Sequence, residues 1–127
     1  MNADNFLYKE LTDRLLASAF KVHNTLGAGF LEKVYENALV HELTKEGILC
    51  EQQKALRVLY DTIVAGEYVA DVVIEGKIIL ELKAVRDLNN VFDAQLLNYL
   101  KTTRLKVGYI INFGNPKLEF KRMVLSA

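Results

Sequence analysis

The stretch VADVVIEGKIILELK, running from Val69 to Lys83, decides the fold. Two aliphatic, β-branched runs flank Glu75-Gly76-Lys77, so the segment reads as two antiparallel strands joined by a tight loop. If those three residues form the loop, Ile74 pairs with Ile78, and counting outward sets Asp71 opposite Glu81. Like charges facing each other across a sheet destabilise it, so this pair needs a compensating cation, a shared proton or a water-filled gap. Strand alternation then places Lys83 on the face of Glu81, with Leu80, Leu82 and Ala84 on the other.

Working outward, Ala55 to Tyr60, Glu67 to Ile74 and Lys77 to Val85 read as three strands, with Asp61 turn-like. Upstream, Asp4 to Leu26 carries Leu11, Leu15, Leu16, Ala19, Phe20 and Val22 near the three-and-four spacing of an amphipathic helix. Gly27-Ala28-Gly29 ends that helix, and a second from Phe30 to about Glu46 carries Leu31, Val34, Tyr35, Ala38, Leu39 and Leu43 before Gly47 stops it. Downstream, Val91 to Thr103 is a helix with Phe92, Leu96, Leu97 and Leu100 as its apolar stripe. Val107 to Phe113 is a nearly continuous apolar strand, Gly114-Asn115-Pro116 a turn, and Leu118 to Val124 a last strand. The expected order is αα-βββ-α-ββ, an α/β chain without repeats or linkers.

A length of 127 residues with 51% hydrophobic content suits one domain over residues 1–127, with enough apolar surface for a core that needs no disulfide. The single cysteine, Cys50, has no internal partner, and Met1 to Tyr8 lacks the pattern of a secretion signal, so a reducing, cytoplasmic location is expected. Charges interrupt every hydrophobic run well short of the roughly 20 residues that span a bilayer. The 16 basic and 16 acidic residues balance, excluding a global pull towards polyanions. Their distribution is uneven, however. From Ala94 onward the chain carries Lys101, Arg104, Lys106, Lys117, Lys121 and Arg122 against Glu119 as its one acid, a distribution that suits either one basic face or solvated lysines on an ordinary surface.

The Asp71, Glu81 and Lys83 constellation suits metal-assisted hydrolysis. Mg²⁺ takes oxygen ligands, usually one or two carboxylates with water and phosphate oxygens, and the lysine can orient a water or neutralise developing charge. The same spacing also fits a cross-strand salt-bridge cluster in which Lys83 neutralises both acids. Two helix positions bear on the choice. Glu32 shares a helical face with Tyr35, Glu36 and Leu39, which suits either a further metal or water ligand or a dipole-complementing first-turn acid. Gln95 and Tyr99 are i, i+4 partners that can hold phosphate or water, or can be ordinary surface polarity.

Gly29-Phe30-Leu31-Glu32-Lys33-Val34-Tyr35 has the form GxxExxY, and the chain resembles the bacterial and archaeal family named for that signature. Val22 to Gly29, the Asp71 strand, Ile79 to Val85, Ala94 to Leu100 and Ile111-Asn112-Phe113-Gly114 resemble it in the same order. That family is similar to the PD-(D/E)xK nuclease superfamily, which implies a restriction-endonuclease-like core, a mixed β-sheet flanked by helices. The resemblance implies Asp71 and Glu81 as metal ligands for Mg²⁺ or Mn²⁺, Lys83 as catalytic lysine, Glu32 as the acid of the preceding helix, and Gln95 with Tyr99 as the later-helix motif. His23 and Gln53 also match family positions, His23 with a packing or a peripheral catalytic role. The expected activity is metal-dependent cleavage of DNA or RNA, with Lys101, Arg104, Lys121 or Arg122 holding the backbone. Two other readings stand beside it: a non-catalytic nucleic-acid-binding or regulatory subunit, and an enzyme of small phosphorylated metabolites. Clustering of those four cations near the site would favour nucleic acid. A homodimer is expected to be possible if Val107 to Phe113 lies near a free sheet edge.

Overall fold

In a computed structural model that describes residues 6–125, helices α1 (Lys9–Leu26) and α2 (Glu32–Lys45) precede strands β1 (Cys50–Tyr60), β2 (Ile63–Ile74) and β3 (Ile78–Lys83). Helix α3 (Asn90–Thr103) and strands β4 (Val107–Asn112) and β5 (Glu119–Val124) complete the order read from the sequence. The five strands form one sheet in the order β1-β2-β3-β4-β5. β3 and β4 are parallel, as a connection through α3 permits, and the other neighbours are antiparallel.

The boundaries that moved have local causes. α1 begins at Lys9 rather than Asp4, because Tyr8 takes a left-handed conformation with φ of 61°; Asp4 itself lies outside the described residues. α2 begins at Glu32 because Leu31 is extended. α3 starts where the Asn89 side chain accepts the Val91 N–H at 2.9 Å, a side-chain cap of the first turn. β1 starts at Cys50, well before Ala55, and β2 at Ile63, before Glu67. Most of β1 is exposed, so it lacks the alternation that announces a half-buried strand.

Side-chain alternation on β3 divides the core. Ile78, Leu80 and Leu82 join Val72 and Ile74 of β2 and pack with Leu15, Ala19, Tyr35, Leu39 and Leu43 of α1 and α2. Ile79 joins Val73 and Ile110 and packs with Leu96, Tyr99 and Leu100 of α3. Helices therefore cover both faces of the inner strands, which is why β3 and β4 are buried along nearly their whole lengths. β4 lies between β3 and β5, not at an edge. Its apolar run is explained by the core, and the argument from it for self-association falls. No helix among the described residues is long and apolar enough to cross a membrane.

Candidate functional site

The β2–β3 ladder closes as expected around Gly76, pairing Ile74 with Ile78, Val73 with Ile79 and Val72 with Leu80. One position further, side chains replace the ladder. The Asp71 N–H donates to Glu81 Oε2 at 3.0 Å, and the Leu82 N–H donates to Asp71 Oδ2 at 2.8 Å. Each carboxylate thus grips the backbone of the opposite strand.

The strands themselves are irregular here. Ala70 packs with Val73 under α3, whereas Val72 packs with Ile74 under α1 and α2, so the two-residue alternation of β2 slips by one at Asp71. Across the β1–β2 pairing, the register Gln52 to Val72 and Lys54 to Ala70 sets Gln53 level with Asp71. Gln53 has φ of 51°, a left-handed conformation that costs a non-glycine residue on the order of 1–3 kcal/mol. The cost is offset where it is incurred: the Gln53 amide donates to Glu36 Oε1 at 2.8 Å. Glu36 is 4% exposed and its other oxygen accepts from Gln52 at 2.8 Å and Lys33 at 2.9 Å. The sequence reading gave Glu36 no role, although its place one turn after Glu32 was the available signal.

Burial dominates the electrostatics. It pushes the Glu81 carboxyl up to about 8, and the neighbouring Asp71 charge adds to the rise. Asp71 is also raised by burial, against the Leu82 N–H, which favours its charged form. The two acids are close enough for the charge of Asp71 to bear on the protonation of Glu81. Lys83 lowers both, yet among the described residues it makes no ion pair with either acid, so the salt-bridge cluster is not formed. Its ammonium lies 4.4 Å from the centre of the Phe92 ring instead.

Two helices bring the other expected residues to this end of the sheet. Glu32, exposed on the first turn of α2, is raised by partial burial, with Lys83 opposing and Asp71 and Glu36 adding. On α3, Gln95 Nε2 donates to the Tyr99 hydroxyl at 2.9 Å. Tyr99 is pushed up to about 12 by burial and by the charges of Glu81 and Asp71, so its phenol stays protonated. Tyr68 of β2 tilts against Tyr99 with ring centres 5.6 Å apart. Among the described residues no three of His, Cys, Asp and Glu gather as a ready-made metal cluster. A Mg²⁺-type ion needs only one or two carboxylates, because water and substrate oxygens complete its shell. The half-buried Asp71 and the buried Glu81 fit such a hard cation, whose charge would offset the burial that raises them both and favour their ionised, acceptor-only form.

Behind the site, side chains hold the loop that follows β3. Asn112 is fully buried; its Oδ1 accepts from the Val85 and Gly114 N–H groups at 3.0 and 3.1 Å, and its Nδ2 donates to the Val85 carbonyl and Glu119, both at 2.9 Å. Gly114 is obligatory for this approach, since a Cβ there would stand 2.3 Å from the Val85 carbonyl oxygen. His23 Nε2 donates to the Asn115 carbonyl at 2.8 Å, and the Tyr35 hydroxyl donates to the Gly27 carbonyl at 2.5 Å while its ring stacks on Phe113. Both residues fasten the scaffold, a contact that fits the packing role for His23.

The cations that could have formed one basic face are divided. Lys121 pairs with Asp93 of α3, and Arg122 donates to the Tyr109 hydroxyl at 2.5 Å and the Leu7 carbonyl at 2.9 Å. Lys101 and Arg104 instead line a cleft with Arg57, a residue the sequence reading did not select.

The profile of the PD-(D/E)XK nuclease superfamily matches residues 9–123. Among solved structures, the crystal structure of SSO0001 has a similar fold, with a TM-score of 0.55 at 16% identity over 94% of this chain. The chain spans 60% of the length of that protein, and at this identity the likeness bears on the fold alone. No curated protein matches. The mixed five-stranded sheet between helices is a restriction-endonuclease-like fold.

Proposed function

The chain belongs to the PD-(D/E)XK nuclease superfamily, and on that premise we propose that it is a Mg²⁺- or Mn²⁺-dependent nuclease hydrolysing phosphodiester bonds of DNA or RNA. The observation that carries this reading is the pair of the half-buried Asp71 and the buried Glu81, both raised by burial where the β2–β3 ladder gives way.

Asp71 and Glu81 would hold the ion. When bound, a divalent cation neutralises phosphate charge and acidifies a water. Lys83, on the Glu81 face and cushioned against Phe92, orients the attacking water or offsets charge that develops on the phosphorus oxygens. Its contact with an aromatic ring, rather than with either acid, leaves its donors available to substrate. Glu32 extends the negative field from α2 and holds water at the entrance. Tyr99, kept protonated, donates a hydrogen bond to a phosphate oxygen, and Gln95 fixes the orientation of its hydroxyl.

The test is incubation of purified protein with end-labelled single- and double-stranded DNA and RNA, in Mg²⁺, in Mn²⁺ and in chelator, beside Asp71→Ala and Glu81→Ala. Metal-dependent cleavage that both substitutions abolish is the expected result. A folded wild type that cleaves none of these substrates with either metal overturns the reading.

A further inference from the structure

One flank of α3 faces the β1–β2 hairpin. On it, Val91, Gln95, Asn98 and Thr102 follow at steps of four, three and four residues, which makes them a single stripe down the helix. Two clefts open along the stripe. The first, of about 270 Å³, is lined by Tyr68, Val91, Ala94, Gln95, Asn98 and Tyr99. The second, of about 400 Å³, is lined by Arg57, Val58, Leu59, Lys101, Thr102 and Arg104. From Val91 to Thr102 the helix rises about 16 Å, so the two clefts follow one another along this flank, and a strand laid along the stripe would pass over both as over one trough.

The chemistry changes along it. The first cleft adjoins Asp71 and Glu81, whose charges reach Tyr99. It presents the half-exposed ring of Tyr68, the apolar Val91 side chain and the amides of Gln95 and Asn98. The second is cationic. Among the described residues Lys101 and Arg104 have no acidic partner, and Arg57 meets only Glu67, at 3.6 Å and with both side chains exposed. An exposed pair of that kind is worth little. Gathering cations without acids costs repulsion in the free protein, which a polyanion relieves. On the opposite flank of α3, Lys121 is already paired with Asp93, unlike Lys101 and Arg104 on the hairpin side.

We propose that this trough binds single-stranded nucleic acid, with an unstacked base on Tyr68 beside the acids and the following phosphates on Arg57, Lys101 and Arg104. The identity of the bond cut rests on the nuclease reading above; the binding does not. Tyr68 needs an open base face, which a single strand offers and an intact duplex hides in its stack. The Gln95 and Asn98 amides supply donors and acceptors for the edge of that base. About 16 Å accommodates roughly five stacked nucleotides at 3.4 Å each, or fewer in a stretched strand.

Fluorescence anisotropy in chelator, where no metal supports cleavage, reads binding alone. The probes are fluorescein-labelled 15-mers of DNA and RNA, each as a single strand and as its blunt duplex, titrated at several salt concentrations. Single strands of at least one sugar type are expected to bind at least tenfold more tightly than the duplexes. Joint Lys101→Gln and Arg104→Gln substitution is expected to weaken single-strand binding at least tenfold and to flatten its salt dependence, Tyr68→Ala at least fivefold, and Tyr68→Phe less than twofold. Lys121→Gln, on the other flank, leaves binding unchanged. Circular dichroism checks that each variant is folded, and Arg57→Gln substitutes for any that is not. Equal affinity for duplex and single strand, no binding of any strand at low salt, or folded trough variants that bind like wild type overturn the proposal. Trough-dependent binding without cleavage in metal would sink the nuclease reading and keep this one; metal-dependent cleavage indifferent to the trough variants would do the reverse.

Discussion

The two ends of the β2–β3 pair are built from the same strands and obey opposite rules. Towards Gly76, Val72, Val73 and Ile74 face Leu80, Ile79 and Ile78 in an unbroken ladder, and every one of the six is buried. Towards the open end, the ladder stops, acids bond to backbone, and the alternation of β2 slips. Burial that stabilises aliphatic side chains at one end works against charge at the other. The closed end therefore anchors the hairpin, and the open end holds groups whose free energy a bound cation would lower.

The largest expected effect separates those roles. Glu81→Gln should lower nuclease turnover by about a thousandfold, since it removes charge from the pair proposed to hold the metal. The same variant should be more stable than wild type in metal-free buffer at pH 8. The sign follows from the raised carboxyl. Folding favours its protonated form, so that stability is fully present below its ordinary pKa near 4.5 and is lost as the pH climbs through about 8. The slope is about 1.4 kcal/mol per pH unit at its steepest. Urea melts of both proteins between pH 4 and 9 read it, and a wild type whose stability tracks Glu81→Gln across that range would contradict the coupling. Mg²⁺ added at pH 8 should raise the wild-type midpoint by binding the folded state.

At the closed end, Leu80→Ala should cost about 2–5 kcal/mol by leaving a cavity at a fully buried site. The surviving folded fraction should keep its metal dependence. Gly114→Ala strikes the support of the open end. Its Cβ meets backbone rather than a movable side chain, so a loss of about 1–3 kcal/mol should appear in thermal melts. Reduced cleavage should accompany it, because the loop after β3 shifts. The smallest effect sharpens the comparison most. Gln53→Gly and Gln53→Ala both delete the bond to Glu36, but glycine accepts the left-handed backbone without strain. Gln53→Gly should therefore be about 1 kcal/mol the more stable of the two.

The closed end was legible because its signals are local: a turn triplet between aliphatic runs sets the register, and α3 announces itself by its apolar stripe. Asp71, Glu81 and Lys83 could be placed together for the same reason. The open end was not legible to that depth. The slip at Asp71, the conformation of Gln53 and the burial of Glu36 arise from contacts between β1, β2 and α2, which no window of neighbouring residues contains. The basic residues show the converse error. Proximity in sequence grouped Lys121 and Arg122 with Lys101 and Arg104, but β5 and α3 direct them to different partners. Arg57, distant in sequence, joins the second pair through the hairpin.

The left-handed Gln53 also bears on solubility. β1 is an edge strand, and a long edge offers its amides and carbonyls to any other chain in extended form. A residue turned out of the extended conformation interrupts that row, and the Glu51 and Lys54 side chains, paired at 2.7 Å, flank the interruption with charge. The kink that delivers an amide to Glu36 thus also breaks the template on which a second molecule would start to add strands, so Gln53→Gly, in relieving the backbone, would leave that edge freer to straighten and nucleate aggregation.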